Sequence, residues 1–473
     1  MTQEQDSPSS PAPTEPQPAS PPSSSAVSFR EALRVWVKIA LLSFGGPAGQ
    51  IAVMHKILVE ERRWVSENRF LHALNYCMLL PGPEAQQLAT YMGWLLHGWR
   101  GGVAAGGLFI LPGFLSILLL SVLYAGFKDL ALVTAVFFGL KPAVMAVVVE
   151  AVIRIGKRAL KNATMVTIAV AAFVAIFFFE APFPLIILTA ALVGLIGGRL
   201  SPARFVVIKG HDTSEERAED SVVLADHQQV GARPTLGRTL RVAAICLFLW
   251  FAPLIALGVW LGRGHIFVEE GVFFSKTAVV TFGGAYAVLA YIAQQAVEAY
   301  GWLRPGEMLD GLGMAETTPG PLIQVVQFVG FMGAYRNPGG LDPMLAGLIG
   351  SVVTTWVTFV PCFLWIFLGA PYIEYLRGNK TLTAALSAIT AAVVGVVLNL
   401  AVWFSLHTLF GKVEETRWFG ARIYLPEWRT LDPVAALIAV AAFVAMLRFK
   451  VGMIPTLLGS VLIGATYALV FGP

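Results

Sequence analysis

The chain has 473 residues, of which 56% are hydrophobic and only 13% charged, with a formal net charge of +4. A soluble domain carries about 25% charged residues, so half the charge needed to face water is missing and a water-soluble globular fold is excluded. The small net charge, with its basic residues scattered among loops, argues against a nucleic-acid partner.

Residues 1–28 are Pro- and Ser-rich, as in Ser7-Pro8-Ser9-Ser10-Pro11. Such a segment cannot pack a core and is expected to be a disordered tail. It lacks the apolar run of a signal peptide. From there on, apolar runs near the roughly 20 residues that cross a bilayer alternate with short polar loops. The pattern predicts an all-α polytopic membrane protein with about thirteen membrane-crossing or broken helices. They lie near 35–58, 71–96, 103–127, 131–153, 163–179, 182–198, 242–262, 272–297, 308–334, 343–370, 382–410, 433–447 and 452–471. Gly and Pro inside the second, third, ninth and tenth elements suggest broken helices. The expected domains are a first transporter repeat at 29–200, a cytoplasmic loop at 201–241, a linking transmembrane helix at 242–262 and a second repeat at 263–473.

Lysine and arginine placement sets the expected orientation. The loop after the fourth element carries Arg154, Lys157, Arg158 and Lys161, and that after the sixth carries Arg199, Arg204, Lys209, Arg217, Arg233, Arg238 and Arg241. Both are expected in the cytoplasm, which places the N-terminus inside and the C-terminus outside. The loops 59–70 and 411–432 also carry several basic residues although they are expected outside. Cys77, Cys246 and Cys362 each sit in an apolar stretch and read as buried, unpaired thiols. No cofactor or metal site is expected from the sequence, because neither a metal-ligand spacing nor a nucleotide-binding Gly-Lys-Ser/Thr loop appears. No catalytic constellation of paired acids or His ligands appears either, so the chain does not read as an enzyme.

The chain repeats itself at an offset of 238 residues. Phe44-Gly45-Gly46 recurs as Phe282-Gly283-Gly284, Trp64 as Trp302, and Pro81-Gly82-Pro83 as Pro319-Gly320-Pro321. Lys38 matches Lys276, Glu60 matches Glu298 and Gln86 matches Gln324; 15 of the 49 positions from 38 to 86 are identical without a gap. The excess of identities lies in Trp, Pro and Gly, which apolar bias does not explain. Later the register shifts to 249, where Pro112 matches Pro361. Seven crossings separate the first elements of the two halves, so the copies face opposite ways. Inverted repeats of this kind are common in secondary transporters, which hold their site near the midplane between the repeats.

An anion in a membrane must have its hydration shell replaced. Half-helix N-termini do this with unpaired N–H groups and a positive dipole end. The Pro-Gly-Pro breaks, each followed by a helix start, and the Phe-Gly-Gly pairs therefore predict an anion site. Its expected residues are Gly45, Gly46, Gly82, Gln86, Gly283, Gly284, Thr317, Thr318, Gly320 and Gln324. Lys38 and Lys276 each precede their Phe-Gly-Gly by about 9 Å of helix and are read as attracting anions at the two mouths. Lys141, beside Pro142, lies deeper, and an intramembrane lysine is a functional candidate by default. Glu84, Glu150 and Glu316 are buried acids. Glu84 and Glu316 are candidates for proton coupling, and any of the three could pair with Lys141.

At these residues the chain resembles the chromate ion transporter family in its long, two-domain type. The matching features are Ser43-Phe44-Gly45-Gly46-Pro47, Glu61-Arg62-Arg63-Trp64, Leu80-Pro81-Gly82-Pro83 with Gln86, and Phe282-Gly283-Gly284 with Thr318-Pro319-Gly320-Pro321. The resemblance implies efflux of chromate across the bacterial inner membrane, and hence chromate resistance. Uptake or exchange of sulfate or a related oxyanion is the alternative. A homodimer is left open. The second half departs from the first at Ala285 and Leu322, which stand where the first half has Pro47 and Glu84.

Overall fold

The computed structural model of the protein describes residues 27–44, 46–78, 80–127, 130–205, 235–282, 285–304, 306–372 and 380–471. Most of the expected tail (1–26) and of the expected loop (206–234) lies outside them.

The first helices fold back instead of crossing one after the other. Helix α1 (Phe29–Leu42) and helix α2 (Gly46–His55) with its π-helical continuation (Lys56–Glu61) are each about 21–24 Å long. A bilayer core is about 30 Å thick. They fold back on one another: Lys38 pairs with Glu61 at 3.3 Å and Arg62 with Glu31 at 3.2 Å. Helix α3 (Glu67–Cys77) and the first limb of α4 (Glu84–Phe127) make a second hairpin. Its far end returns to the same face, where the His97 ring nitrogen meets the Val27 carbonyl at 2.8 Å and the ring packs edge-on against Phe29. At His97–Gly98 the backbone leaves helical geometry, with Gly98 at φ +61°. There α4 reverses, so that Gly93 faces Gly101 and Ala105 across the two limbs. Only the second limb (99–127) crosses.

Next come α5 (Ala131–Ala159), α6 (Ala163–Phe179), α7 (Phe183–Leu200), the short α8 (Pro202–Phe205) and α9 (Leu236–Leu261). The second half repeats the plan. Helix α10 (Ile266–Val280) turns back into α11 (Ala285–Gln294) and its π-helical end (Gln295–Ala299), which brings Tyr300 and Trp302 against Phe273. Helix α12 (Glu307–Thr317) folds back into a 3-10 turn (Leu322–Gln324) and α13 (Val325–Arg336). Arg336 closes this hairpin by bonding Glu307 at 2.6 Å and the Trp302 carbonyl at 2.7 Å. Then follow α14 (Pro343–Gly369), α15 (Lys380–Leu409), the hairpin of β1 (Val413–Trp418) and β2 (Ala421–Pro426), α16 (Pro433–Leu447) and α17 (Met453–Phe471). Among the described residues seven helices are long and apolar enough to cross a bilayer, and α6 and α16 are shorter apolar helices.

The repeat is written in the backbone. The two π-helices sit at matching positions, as do Gly82 at φ +123° and Gly320 at +112°, and Arg63 at +51° and Gly301 at +64°. The halves are inverted. The end of the first hairpin packs at the face that carries the start of α1, whereas Glu298, the mate of Glu60, contacts Arg422 of the β-hairpin at the opposite face. That face also receives the end of α6, where Phe177 packs on Tyr424 and Arg417 meets Glu180.

Two expectations change. The elements read at 35–58, 71–96, 272–297 and 308–334 are broken, but each turns back as a hairpin instead of crossing. The third and tenth elements are not broken, for Pro112 and Pro361 lie inside continuous helical limbs. Neighbouring helices can satisfy the backbone that such a proline frees.

Candidate functional site

Four hairpin tips meet at the centre of the molecule, two from each half. They touch crosswise: Gly82 N–H donates to the Thr281 carbonyl at 2.7 Å, and Gly320 N–H donates to the Ser43 carbonyl at 2.9 Å. Residues 43 and 281, and 82 and 320, are repeat mates, so the same bond is made twice with the halves exchanged. Gln50 reinforces one crossing by donating to the Gly320 carbonyl at 2.6 Å. Glycine is required at both donors. Their φ values lie where side chains are rarely tolerated. A Cβ on Gly82 would meet Gln87 and Cys362 at 2.8 and 3.0 Å, and one on Gly320 would meet the Gly113 backbone at 2.9 Å.

Each second arm begins at the centre, so α2, the first limb of α4, α11 and the 3-10 turn leading into α13 all start there. Their first-turn N–H groups have no intrahelical acceptor, and the four dipoles present positive ends to one region. Buried amides surround it. Gln86 donates to Thr90, Gln87 to the Pro81 carbonyl, Gln324 to Gln327 and Thr355, and Gln327 to the Phe114 carbonyl. The carbonyl oxygens of Gln86, Gln87 and Gln324 are buried without a hydrogen-bond partner in the protein.

The structure thus brings Gly46, Gly82, Gln86, Gly320 and Gln324 to the tips. Gly45, Gly283 and Gly284 lie outside the described residues. Thr317 and Thr318 stand at the end of α12, but their hydroxyls bond back to the carbonyls of Gly313, Met314 and Ala315. Glu316 is buried at the same tip and accepts a hydrogen bond from the Tyr286 hydroxyl. Glu84 begins the first limb of α4, where its charge suits the helix dipole. Glu150 pairs with Arg154 at 3.5 Å.

The lysines are dispersed. Lys38 is exposed at a rim and held by Glu61, and Lys276 is exposed on α10. Lys141 pairs with buried Asp310 at 3.4 Å, and the Tyr124 hydroxyl donates to the same carboxylate at 2.8 Å. No reading of the sequence joined Lys141 to Asp310. Gln50, Gln87, Gln327 and Tyr286 were likewise missed, although Gln87 and Gln327 follow the expected Gln86 and Gln324 by one and three residues, a spacing that gave a signal.

Two cavities open toward opposite faces, and one of them reaches the tips. One of about 490 Å³ is lined by Phe44, Gly49, Glu150, Arg154 and Lys450. The other, of about 370 Å³, reaches Lys141 and Asp310 on the β-hairpin side. The three cysteines are buried and unpaired. Among the described residues no cluster of three His, Cys, Asp or Glu side chains could hold a metal ion.

Residues 30–195 and 268–465 match the chromate transporter family, two blocks whose starts lie one repeat apart. The chain is 31% identical over 375 residues to a chromate transport protein of Pseudomonas aeruginosa, covering 78% of this chain and 80% of that one. To a chromate transport protein of Cupriavidus metallidurans it is 25% identical over 438 residues, 92% of each. It also shares 26% identity over 121 residues with an uncharacterized transporter of Bacillus subtilis, 26% of this chain and 68% of that one. No solved structure matches.

Proposed function

This chain belongs to the chromate transporter family, and from that premise we propose that it exports chromate, binding the dianion where the four hairpin tips converge. The observation that carries the reading is the crossed pair of backbone bonds. Gly82 and Gly320 present N–H groups from opposite halves, and their present acceptors are the Thr281 and Ser43 carbonyls. A tetrahedral oxyanion has oxygens enough to replace both carbonyls at once, and it adds negative charge where four helix dipoles end. Burying a dianion without several donors is prohibitive. The segments offer no arginine cluster, so backbone and glutamine N–H groups do this work. When the tips part, the anion takes the place of the carbonyls; when they rejoin, the path is sealed.

The N-terminal face is assigned to the cytoplasm. The hairpin geometry supports this, because it moves Lys56, Arg62, Arg63 and Arg69 to the face of Arg154, Lys157 and Lys161, while only Arg304 moves the other way. Cytoplasmic loops carry the lysine and arginine excess. With an inside-negative potential of about 100 mV, outward movement of a dianion is favoured by roughly 4.6 kcal/mol. Voltage alone can therefore drive export, and no ATP site is needed.

The test is labelled chromate flux in proteoliposomes under imposed voltage, with sulfate as competitor. Gly82→Val and Gly320→Val are expected to insert normally and to abolish flux. Parent rates in either variant would sink the tip site. Sulfate flux that exceeds chromate flux would make the chain a sulfate carrier.

A further inference from the structure

We propose that Arg154 and Lys450 form a second oxyanion-binding position, a vestibule through which the anion reaches the tips. The inference rests on the transport reading only for the direction of travel; the site itself stands on its own geometry.

The cavity of about 490 Å³ is lined by the tip residues Phe44 and Gly49 together with Arg154 and Lys450. It is several times the size of a tetrahedral oxyanion. Two cations face one carboxylate there. Glu150 is held against Arg154 at 3.5 Å, and Lys450 has no carboxylate partner among the described residues.

A bland account is available for Arg154, because a cation near the C-terminal end of α5 suits the helix dipole. It does not cover Lys450. That residue closes the turn between α16 and α17 at φ +53°, a left-handed backbone where glycine is the usual occupant. A side chain kept in a strained backbone at a cavity wall points to use of the side chain. The strain, the missing counter-ion and the cavity are independent observations. Arg154 brings the planar fork that grips an oxyanion through two N–H groups, and Lys450 brings a mobile point charge on an exposed turn.

Lys450→Gly separates function from folding, because glycine relieves the left-handed strain while it removes the charge. It is expected to unfold no more readily than the parent. Its apparent KM for chromate should rise about tenfold at low salt, as the loss of one charge-assisted contact implies. That rise should shrink in high salt, and the rate at saturating chromate should stay within about twofold of the parent. Glu150→Gln removes the competing carboxylate and should lower KM. Equilibrium binding of chromate to Gly320→Val protein gives the second readout. There binding should survive without flux and should weaken when Lys450→Gly is added. An unchanged KM in Lys450→Gly, or Gly320→Val binding indifferent to Lys450, overturns the vestibule and leaves the tip site intact. If the parent shows no chromate flux, the transport reading falls, and the Lys450 dependence of chromate binding still decides the vestibule.

Discussion

Lys141 and Asp310 test how this fold holds charge away from water. Asp310 is 3% exposed in its side chain and Lys141 34%, with 3.4 Å between them. At an effective dielectric of 20 their gross attraction is about 5 kcal/mol. Most of that offsets the cost of taking the carboxylate out of water, so the pair contributes little net stability. Removing one partner is another matter, since breaking a buried pair costs about 3–5 kcal/mol. Because Lys141 is a third exposed, screening places the cost near the lower end, about 3 kcal/mol. Lys141→Met should therefore destabilise the protein by about 3 kcal/mol. Adding Asp310→Asn, which keeps an acceptor for Tyr124, should restore most of it. Unfolding of the four proteins in detergent micelles closes the cycle. Additive losses in the double variant would refute the argument that the pair exists to neutralise Asp310. Flux separates a second role: if Lys141 attracts the anion itself, the raised KM persists in the double variant.

Other outcomes follow from the same geometry. Tags at residues 158 and 220 should report the cytoplasm and a tag after Pro473 the outside, and a cytoplasmic C-terminus would remove the inverted arrangement. A cysteine placed at Arg63 should be labelled by an impermeant maleimide from the same face as one at residue 158, which a crossing helix at 35–58 would forbid. Lys276→Ala should raise the KM for chromate at low salt more than Lys38→Ala does, because Glu61 already neutralises Lys38. Equal flux across salt concentrations would leave both as interface lysines. Gln86→Ala should raise the KM, and parent kinetics would place Gln86 outside the site.

The inverted repeat and its breaks were legible because they are spelled in glycine, proline and tryptophan, whose backbone and packing demands survive divergence. Gly82 and Gly320 carry nearly the same φ because no other residue fits. The reversal between α1 and α2 was not legible. Two arms of about 22 Å add up to a stretch that reads in sequence like one long membrane span, and only the Lys38–Glu61 and Arg62–Glu31 pairs show the chain returning. The repeat gave no help with Asp310 either. Its mate is His72, so the partner of Lys141 belongs to one half alone. The turn at Lys450 was not legible either, because left-handed backbone at a lysine leaves no mark in hydropathy.

The two cavities also have an electrical meaning. Water that enters the 490 Å³ cavity carries the potential of one face as far as Phe44, and water in the 370 Å³ cavity carries that of the other as far as Lys141, the partner of Asp310. Between Asp310 and the tip stand only the last two turns of α12, about 10 Å of protein. The membrane voltage therefore falls across a layer about a third as thick as the bilayer core, and the field at the tips is correspondingly steeper. On the proposed tip site, a dianion that crosses this layer would gather most of the roughly 4.6 kcal/mol available at 100 mV.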